Sequence, residues 1–145
     1  MRGVLYKAKR LDNGEWVEGY LIELGKHSFS ESKRFGIIDK AIPCGFNSVV
    51  YNIEIMEIDP ETVCQQTGLP DKNDAMIFEN DKIVEVKSGM SGIVKFSLYD
   101  GKHYGFHIVW NGLCNYRNDI YYWANNNLIE VTGNVYDNPE VLEAK

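Results

Sequence analysis

Six acidic side chains lie close together in the middle of the chain, and carboxylate oxygens are the ligands that hard cations such as Ca²⁺ and Mg²⁺ prefer. In a calcium loop starting at Asp71, however, Ala75 would replace an oxygen ligand and Lys82 the bidentate glutamate. We therefore predict turns and solvated charge here and no metal site, and keep a metal-dependent hydrolase as a second alternative function. The six residues are Asp59, Glu61, Asp71, Asp74, Glu79 and Asp81.

The histidines and cysteines also lack the spacing of a metal site. His103 and His107 share one face of a predicted strand, but four residues at ~3.3 Å each would separate them by about 13 Å. That distance is too long for both to bind one ion. Cys44, Cys64 and Cys114 are odd in number and widely spaced, so we expect reduced thiols and no disulfide framework. No cofactor is predicted.

Common catalytic motifs are missing from the sequence. No serine lies in a Gly-x-Ser-x-Gly turn, and no glycine-rich loop of a phosphate-binding type is present. No histidine is placed to activate Cys64 as a nucleophile. We predict no catalytic residues and a protein that is not an enzyme.

Aromatic residues make up 12% of the chain, and several surround Arg117: Tyr116, Tyr121, Tyr122 and Trp123. On a small barrel, aromatic and arginine side chains can stack single-stranded bases. Tyrosine and tryptophan equally fill cores and protein interfaces. The formal net charge of -6 opposes binding to a phosphate backbone. We therefore predict no binding to nucleic acid.

A small-barrel module that binds nucleic acid is the first alternative function. It requires that the basic residues of the C-terminal half line one face. These residues are Lys82, Lys87, Lys95, Lys102 and Arg117.

Length and composition suit one ordinary domain or two very small ones. The chain has 145 residues, of which 44% are hydrophobic. No apolar run approaches the 18 residues of a membrane-spanning helix, and the first residues lack the pattern of a signal peptide. We expect a cytoplasmic protein with no membrane association.

The N-terminal part of the sequence predicts strands. Asn13-Gly14 separates residues 5–11 from 15–24 and favours a hairpin with a type I′ turn, which needs positive φ at both turn residues. Residues 25–34 are polar and predict a surface loop. Residues 35–42 and 49–58 predict two further strands.

The segment from Asp59 to Asp81 predicts one short helix followed by a tight loop. Asp59 is suited to cap a helix over residues 60–66, Pro60 to begin it, and Gly68 to end it with a positive φ. The carboxylate of Asp81 is expected to accept backbone N–H groups from the preceding turn.

The C-terminal half predicts short strands joined by tight turns, among them an Asp100-Gly101 turn. This pattern is typical of a small barrel or a sandwich, and the residues alone leave both open. The predicted strands cover residues 82–87, 92–98, 103–110, 121–123 and 128–131.

Residues 62–73 and 77–84, with the closing segment 130–142, resemble the sequence signature of the YopX family, whose members are small proteins of phages and prophages of bacteria. Trp16 and Gly19 resemble an early Trp-x-x-Gly of that family. The matching residues that we expect to have structural roles are Thr62, Gln65, Thr67, Gly68, Asp71, Asn73, Asp81, Gly133 and Asn134.

Two positions depart from the family pattern. Asp74 and Asn80 stand where the family usually has glycine. Asp and Asn adopt the left-handed backbone more readily than most residues, so both turns can be kept.

The resemblance implies a mainly β protein whose C-terminal half is an SH3-like barrel. We predict an N-terminal β subdomain over residues 1–58, a connecting segment over 59–81 that contains the short helix, and the barrel with a tail over 82–145. The resemblance transfers no established activity. It implies an accessory protein of a phage or prophage, acting in the cytoplasm of a bacterial host cell.

The N-terminal hairpin is expected to form an interface. Trp16, Tyr20, Leu21, Ile22 and Leu24 make it apolar on both faces, and such a hairpin is not stable alone in water. The interface residues that we predict are Trp16, Tyr20 and Ile22. We predict a homo-oligomer, with a phage or host protein as a further partner, and function through assembly or through binding a protein.

Overall fold

The computed structural model describes residues 4–25, 33–39, 54–112 and 116–137. These residues form a mainly β protein, as predicted. Its elements are β1 (Tyr6–Lys9), β2 (Trp16–Glu23), β3 (Phe35–Asp39), β4 (Ile55–Ile58), a 3-10 turn (Pro60–Thr62), β5 (Cys64–Pro70), β6 (Met76–Phe78), β7 (Asp81–Glu85), β8 (Ser91–Tyr99), β9 (His103–Trp110), α1 (Ile120–Asn125) and β10 (Ile129–Asn134).

The strands form two antiparallel sheets. The six-stranded sheet has the order β4-β3-β2-β1-β5-β6, and the four-stranded sheet has the order β10-β7-β8-β9. The chain divides within β5 into two compact units, Met1–Gln65 and Gln66–Lys145. The three-part division at residues 59 and 82 stays a prediction. The two units are described separately.

The hairpin of the first unit closes through a longer loop than expected. The Arg10 N–H donates to the Glu15 carbonyl across residues 11–14, and only Gly14 has a positive φ, of 71°. The type I′ prediction, which required positive φ at Asn13 as well, was wrong. A four-residue loop needs only one left-handed residue to reverse the chain, so Asn13 keeps a negative φ.

Strand alternation gives the first unit a core on one sheet face. Ala8, Ile37 and Ile58 are fully or almost fully buried there. Residues on neighbouring strands stand opposite one another in the register and so share this face. The partly buried residues that pack against them are Val17, Leu21, Phe35, Met56 and Val63.

The predicted helix over residues 60–66 is correct only in its first turn. Asp59 caps the 3-10 turn by accepting the Glu61 N–H at 3.1 Å. Cys64 instead begins β5 and pairs with Lys7 of β1. Pairing with a strand that lies far away in sequence outweighs the weak local preference for a helix.

The second unit contains the Asp100-Gly101 turn as predicted, with φ values of 52° and 77°. The predicted strand over residues 121–123 was wrong, because those residues lie in α1. Asp119 caps this helix by accepting the Tyr121 N–H. Ile120 and Trp123 then lie one turn apart on the side that enters the core.

The core of the second unit lies between one face of the four-stranded sheet and α1. The described strands end in edges at β10 and β9 and form no closed barrel. No helix in these described segments has the length and apolar character needed to cross a membrane. The buried residues of the core are Ile77, Ile83, Val94, Ile108, Trp110, Ile120, Trp123, Ala124 and Ile129.

Some predictions concern residues outside the described ranges. They are most of the surface loop at 25–34, the end of the strand at 35–42, the first part of the strand at 49–58, the thiols of Cys44 and Cys114, and the tail after residue 137.

Candidate functional site

Asp71 lies directly after β5 and closes a loop with its carboxylate. Its Oδ1 accepts the N–H groups of Asn73 and Ala75 at 2.8 and 2.9 Å. Its Oδ2 accepts the N–H of Val131 at 2.9 Å, on the outer side of β10. The Lys72 N–H also donates to the Ile129 carbonyl. The Asp71 loop therefore covers the free edge of β10, which would otherwise expose unpaired backbone groups.

Asp81 begins β7 and is almost fully buried. Its Oδ2 accepts the Phe78 N–H at 2.8 Å, which is the backbone bond expected from the sequence. Its Oδ1 accepts the side-chain amide of Asn134 at 2.9 Å. The Asn134 Oδ1 in turn accepts the Tyr136 N–H. Both carboxylate oxygens are thus occupied by donors of the protein itself.

The other motif residues also shape the backbone. The buried Thr62 hydroxyl accepts the Lys9 N–H and donates to the Asp59 carbonyl. The Thr67 hydroxyl donates to the Ile77 carbonyl at 2.8 Å.

Three further motif residues lie within strands, where they take part in strand pairing or mark a shift in register. Gln65 pairs with Tyr6 of β1. Gly133 lies at the register shift of β10. Gly68 has the expected positive φ, of 81°, but within β5, where the pairing with β6 shifts register, and not at a helix end.

The two positions that depart from the family pattern keep the glycine-like backbone. Asp74 has a φ of 66° and Asn80 a φ of 68°. The Asp74 N–H closes a turn onto the Asp71 carbonyl, and the Asn80 N–H donates to the Val94 carbonyl. Both turns are therefore retained, as expected from the tolerance of Asp and Asn for this conformation.

These contacts place the motif in the framework of the fold. Asp71, Asp81 and Asn134 come together around β7 and β10, while Asp59 and Glu61 lie at the 3-10 turn. Among the residues that the structure describes, no group of three or more His, Cys, Asp or Glu side chains could hold a metal ion.

The three residues predicted as an interface share one face of the first unit. Trp16, Tyr20 and Ile22 alternate along β2 with the core residues Val17 and Leu21, so they point away from the core. The strand register places Ile38 and Ile55 beside Tyr20 on the same face. We call these five residues the Trp16 face: Trp16, Tyr20, Ile22, Ile38 and Ile55.

The Trp16 face combines apolar side chains with two lysines, which stand opposite Glu18 and Trp16 in the register. Tyr20 and Ile55 are 37% and 45% exposed. The Lys7 and Lys9 ammonium groups lie 4.9 and 5.4 Å from the centre of the Trp16 ring, within range for cation–π interaction.

A cleft that the sequence did not predict lies beside the β8–β9 turn, with a volume of about 450 Å³. The Tyr99 ring packs on both histidines of β9, at 5.7 Å from the His103 ring and 4.8 Å from the His107 ring. The histidines therefore share a face, as predicted. Alternation alone could have grouped these three residues, but it could not show the opposite wall. The cleft is lined by Tyr99, Asp100, His103, Arg117, Asn118 and Asp119.

Charges in the cleft are partly paired. The Asp100 Oδ2 lies 2.9 Å from the His103 Nδ1, and this hydrogen bond is the main cause of the lowered pKa of Asp100. Burial, followed by the charge of Asp119, raises the pKa of Tyr99. The Arg117 guanidinium lies over the Tyr122 ring at 4.5 Å and 3.6 Å from an Asp119 oxygen.

The five basic residues of the C-terminal half do not all lie on one strand face. The register places Lys82 and Lys95 on the sheet face opposite the core, and Lys95 donates to the Asn80 side chain at 2.9 Å. Lys87 and Lys102 lie in turns, and Arg117 lies outside the strands.

Comparison with known proteins identifies a structure with a similar fold and a matching family. The chain is similar to the crystal structure of protein EF1440 from Enterococcus faecalis, with 22% sequence identity and a TM-score of 0.51, over 97% of this chain and 99% of that one. This similarity supports the fold alone. No curated protein matches the chain significantly. The family model described as "YopX protein" matches residues 5–143, nearly the whole sequence. The chain therefore belongs to the YopX family.

Proposed function

We propose that this protein is a non-enzymatic accessory protein of a phage or prophage that works by self-assembly through the Trp16 face. The observation that supports the proposal is the position of Trp16, Tyr20 and Ile22 on the sheet face opposite the core. A thin β layer that is apolar on both faces gains stability when its second face is covered as well.

The composition of the face fits contact between copies. Its aromatic side chains, Trp16 and Tyr20, are of types that are enriched at protein interfaces. Glu18 lies between Trp16 and Tyr20 on the same face, with Lys7 opposite Glu18 and Lys9 opposite Trp16, so the face also carries both signs of charge. Two-fold or cyclic symmetry would bring the same face, or a matching pair of surfaces, together.

Light scattering during size exclusion tests the proposal. The wild-type protein is expected to elute at a multiple of its 16.6 kDa mass at micromolar concentration. Tyr20→Glu and Ile22→Glu should each shift it toward the monomer, because a charge would have to be buried in the contact. Leu11→Glu is the matched control, since Leu11 is 57% exposed in the hairpin loop and lies outside the face.

A monomeric wild type would contradict self-assembly. In that case the same face would be assigned to a phage or host protein, and Tyr20→Glu would be expected to weaken that complex while Leu11→Glu would not.

The proposal also holds that the protein is not an enzyme and does not bind nucleic acid. The motif carboxylates Asp71 and Asp81 are occupied by internal donors, which suits a structural role. Fluorescence anisotropy with single-stranded and duplex oligonucleotides should show no saturable binding at micromolar protein. A saturable isotherm with a steep salt dependence would favour the nucleic-acid alternative instead.

A further inference from the structure

We propose that the outer edge of β9 binds an extended segment of a partner protein, with alternating apolar and basic residues, as an added strand. We call residues 103–106 the β9 edge. This proposal goes beyond self-assembly and uses a surface that lies wholly within the second unit.

No described residue of the second unit pairs with the outer side of the β9 edge, because the segment that pairs with His107 and Ile108 turns away. Ile108 exchanges bonds with Asn118, whose backbone carbonyl and side chain both contact it. Asp119 then pairs with His107, and α1 begins at the next residue. Within residues 54–112 and 116–137, no strand lies beside the β9 edge. Backbone groups alternate in direction along a strand, so the N–H of Tyr104 points outward like that of Ile108.

One side of this edge is apolar. Phe96 and Leu98 of β8 stand opposite Phe106 and Tyr104 of β9, on the face that carries the core residue Val94 further along. Leu98 is 58% exposed and Tyr104 is 70% exposed. Phe96 makes edge-to-face contacts with Tyr104 and Phe106, at 5.3 and 4.6 Å, which hold the rings in place. The apolar face of the sheet therefore continues past the core to the hairpin tip.

The other side of the edge is the cleft beside Tyr99. His103 of β9 lines this cleft. Asp119, which pairs with His107, lines it from the segment before α1. Asp100 and Asp119 carry two negative charges there, against one fixed positive charge on Arg117. The two carboxylates outnumber the one guanidinium, which favours a lysine or arginine side chain in the cleft.

An added strand would use both sides at once. Successive side chains of a strand point to opposite faces, so every second residue would contact Tyr104 and Leu98 and the others would enter the cleft. Four large side chains would present about 600 to 1,000 Å² if fully exposed. Phe96, Leu98 and Tyr104 are 37%, 58% and 70% exposed, so the accessible patch is on the order of 400 Å². A stable interface between folded proteins needs roughly 800 Å² from each partner. The size of the patch therefore fits a peptide segment better than a second copy of the chain.

Synthetic peptides on the full-length protein test the proposal. The probe is a fluorescein-labelled octapeptide of alternating Val and Lys, with capped ends, followed by anisotropy. The first control has four Val followed by four Lys, and the second alternates Val and Glu. Because the protein is acidic, the block control separates strand register from simple charge attraction. The alternating Val-Lys peptide is expected to bind about tenfold more tightly than either control.

Variants of the edge then locate the site. Tyr104→Pro removes the outward N–H at a position where an edge strand tolerates proline, and it should abolish binding. Leu98→Ser should weaken binding about tenfold while keeping the backbone donor. Val86→Ser is the matched control, because Val86 is exposed in the same unit but lies away from the β9 edge. Circular dichroism and the melting temperature verify that each variant folds.

Several outcomes would overturn the proposal: no binding of the alternating Val-Lys peptide, equal binding of the block peptide, or unchanged binding by folded Tyr104→Pro and Leu98→Ser. If Tyr104→Pro instead lowered the mass of a wild-type oligomer, the occupant would be a second copy, and the peptide proposal would fail. Tyr20→Glu should leave peptide affinity unchanged, so failure of self-assembly and failure of this site are distinguishable.

Discussion

The side-chain amide of Asn134 donates to Oδ1 of Asp81 at 2.9 Å, although 53 positions separate the two residues in the sequence. The other oxygen of Asp81 holds the Phe78 N–H. A single buried carboxylate thus ties the turn before β7 to the end of β10. This relationship gives the motif aspartate a structural task that can be measured.

Replacing Asp81 with alanine should lower the free energy of unfolding by about 2 kcal/mol, because two buried donors lose their acceptor. Asp81→Asn retains one oxygen for the Phe78 N–H but presents an amide to the Asn134 amide, so an intermediate loss is expected. Urea unfolding followed by tryptophan fluorescence measures both. Wild-type stability in Asp81→Ala would contradict the structural role of the motif.

Gly68→Val should destabilise the protein by more than ~1 kcal/mol, through backbone strain alone. Gly68 has a φ of 81°, and no atom lies within 4 Å of a Cβ placed there. Gly105→Val is the matched control, since that site is equally open but has no positive φ. Valine suits a strand, so the control should be neutral or slightly stabilising. Equal losses in the two variants would argue against strain at Gly68.

Restoring the family's glycine at position 74 should not weaken the fold. Asp74 has a φ of 66°, which costs an ordinary residue free energy but is free of steric penalty for glycine. We expect Asp74→Gly to match or slightly exceed wild type in melting temperature. Asp74→Val, with a branched Cβ in the same backbone, should lower it by several degrees for a loss of about 1 kcal/mol. A drop in Asp74→Gly as large as in Asp74→Val would show that the side chain matters more than the backbone.

The carboxyl pKa of Glu57 should rise toward its ordinary value in Arg34→Ala. Arg34 donates two hydrogen bonds to Glu57, at 3.0 and 2.7 Å, and these bonds are the main cause of its lowered pKa. A lowered pKa in the folded state means that this pair supports folding above the unfolded pKa. The support is lost as pH falls through the lower, folded pKa. Titration of the Glu57 carboxyl by NMR measures the shift.

Arg10→Ala serves as the control for that titration, because Arg10 pairs with Asp12 and not with Glu57. It should leave the Glu57 pKa unchanged and raise that of Asp12, which the Arg10 hydrogen bond lowers. An unaltered Glu57 pKa in Arg34→Ala would contradict the observed pairing.

Local signals allowed much of the fold to be predicted from sequence. The Asp100-Gly101 turn and the alternation of residues 103–110 correctly indicated β8 and β9. Asp59 and Pro60 correctly indicated the start of a helical turn. The same kind of signal was available for α1, since Asp119 precedes Ile120 as a cap, but the aromatic run after it favoured a strand.

Other features depend on contacts that sequence spacing does not reveal. The helical turn after Pro60 ends early because Cys64 pairs with Lys7, and the Asp71 carboxylate contacts Val131, 60 residues away. The cleft beside Tyr99 forms only because residues 117–119 return to the edge of β9. Local residue preferences contain no information about these long-range pairings.

The partners of Asp71 and Asp81 in β10 have a consequence for synthesis on the ribosome. The chain is made from its N-terminus, and domains fold as units. β7, β8 and β9 therefore leave the ribosome while the outer neighbour of β7 and the amide of Asn134 are still missing. The second unit reaches its native hydrogen bonding only after β10 and Asn134 have left the ribosome. A nascent chain stalled with Ile129 and later residues still inside the ribosome should remain sensitive to protease within residues 71–85. A chain with Tyr136 outside the ribosome should be protected there.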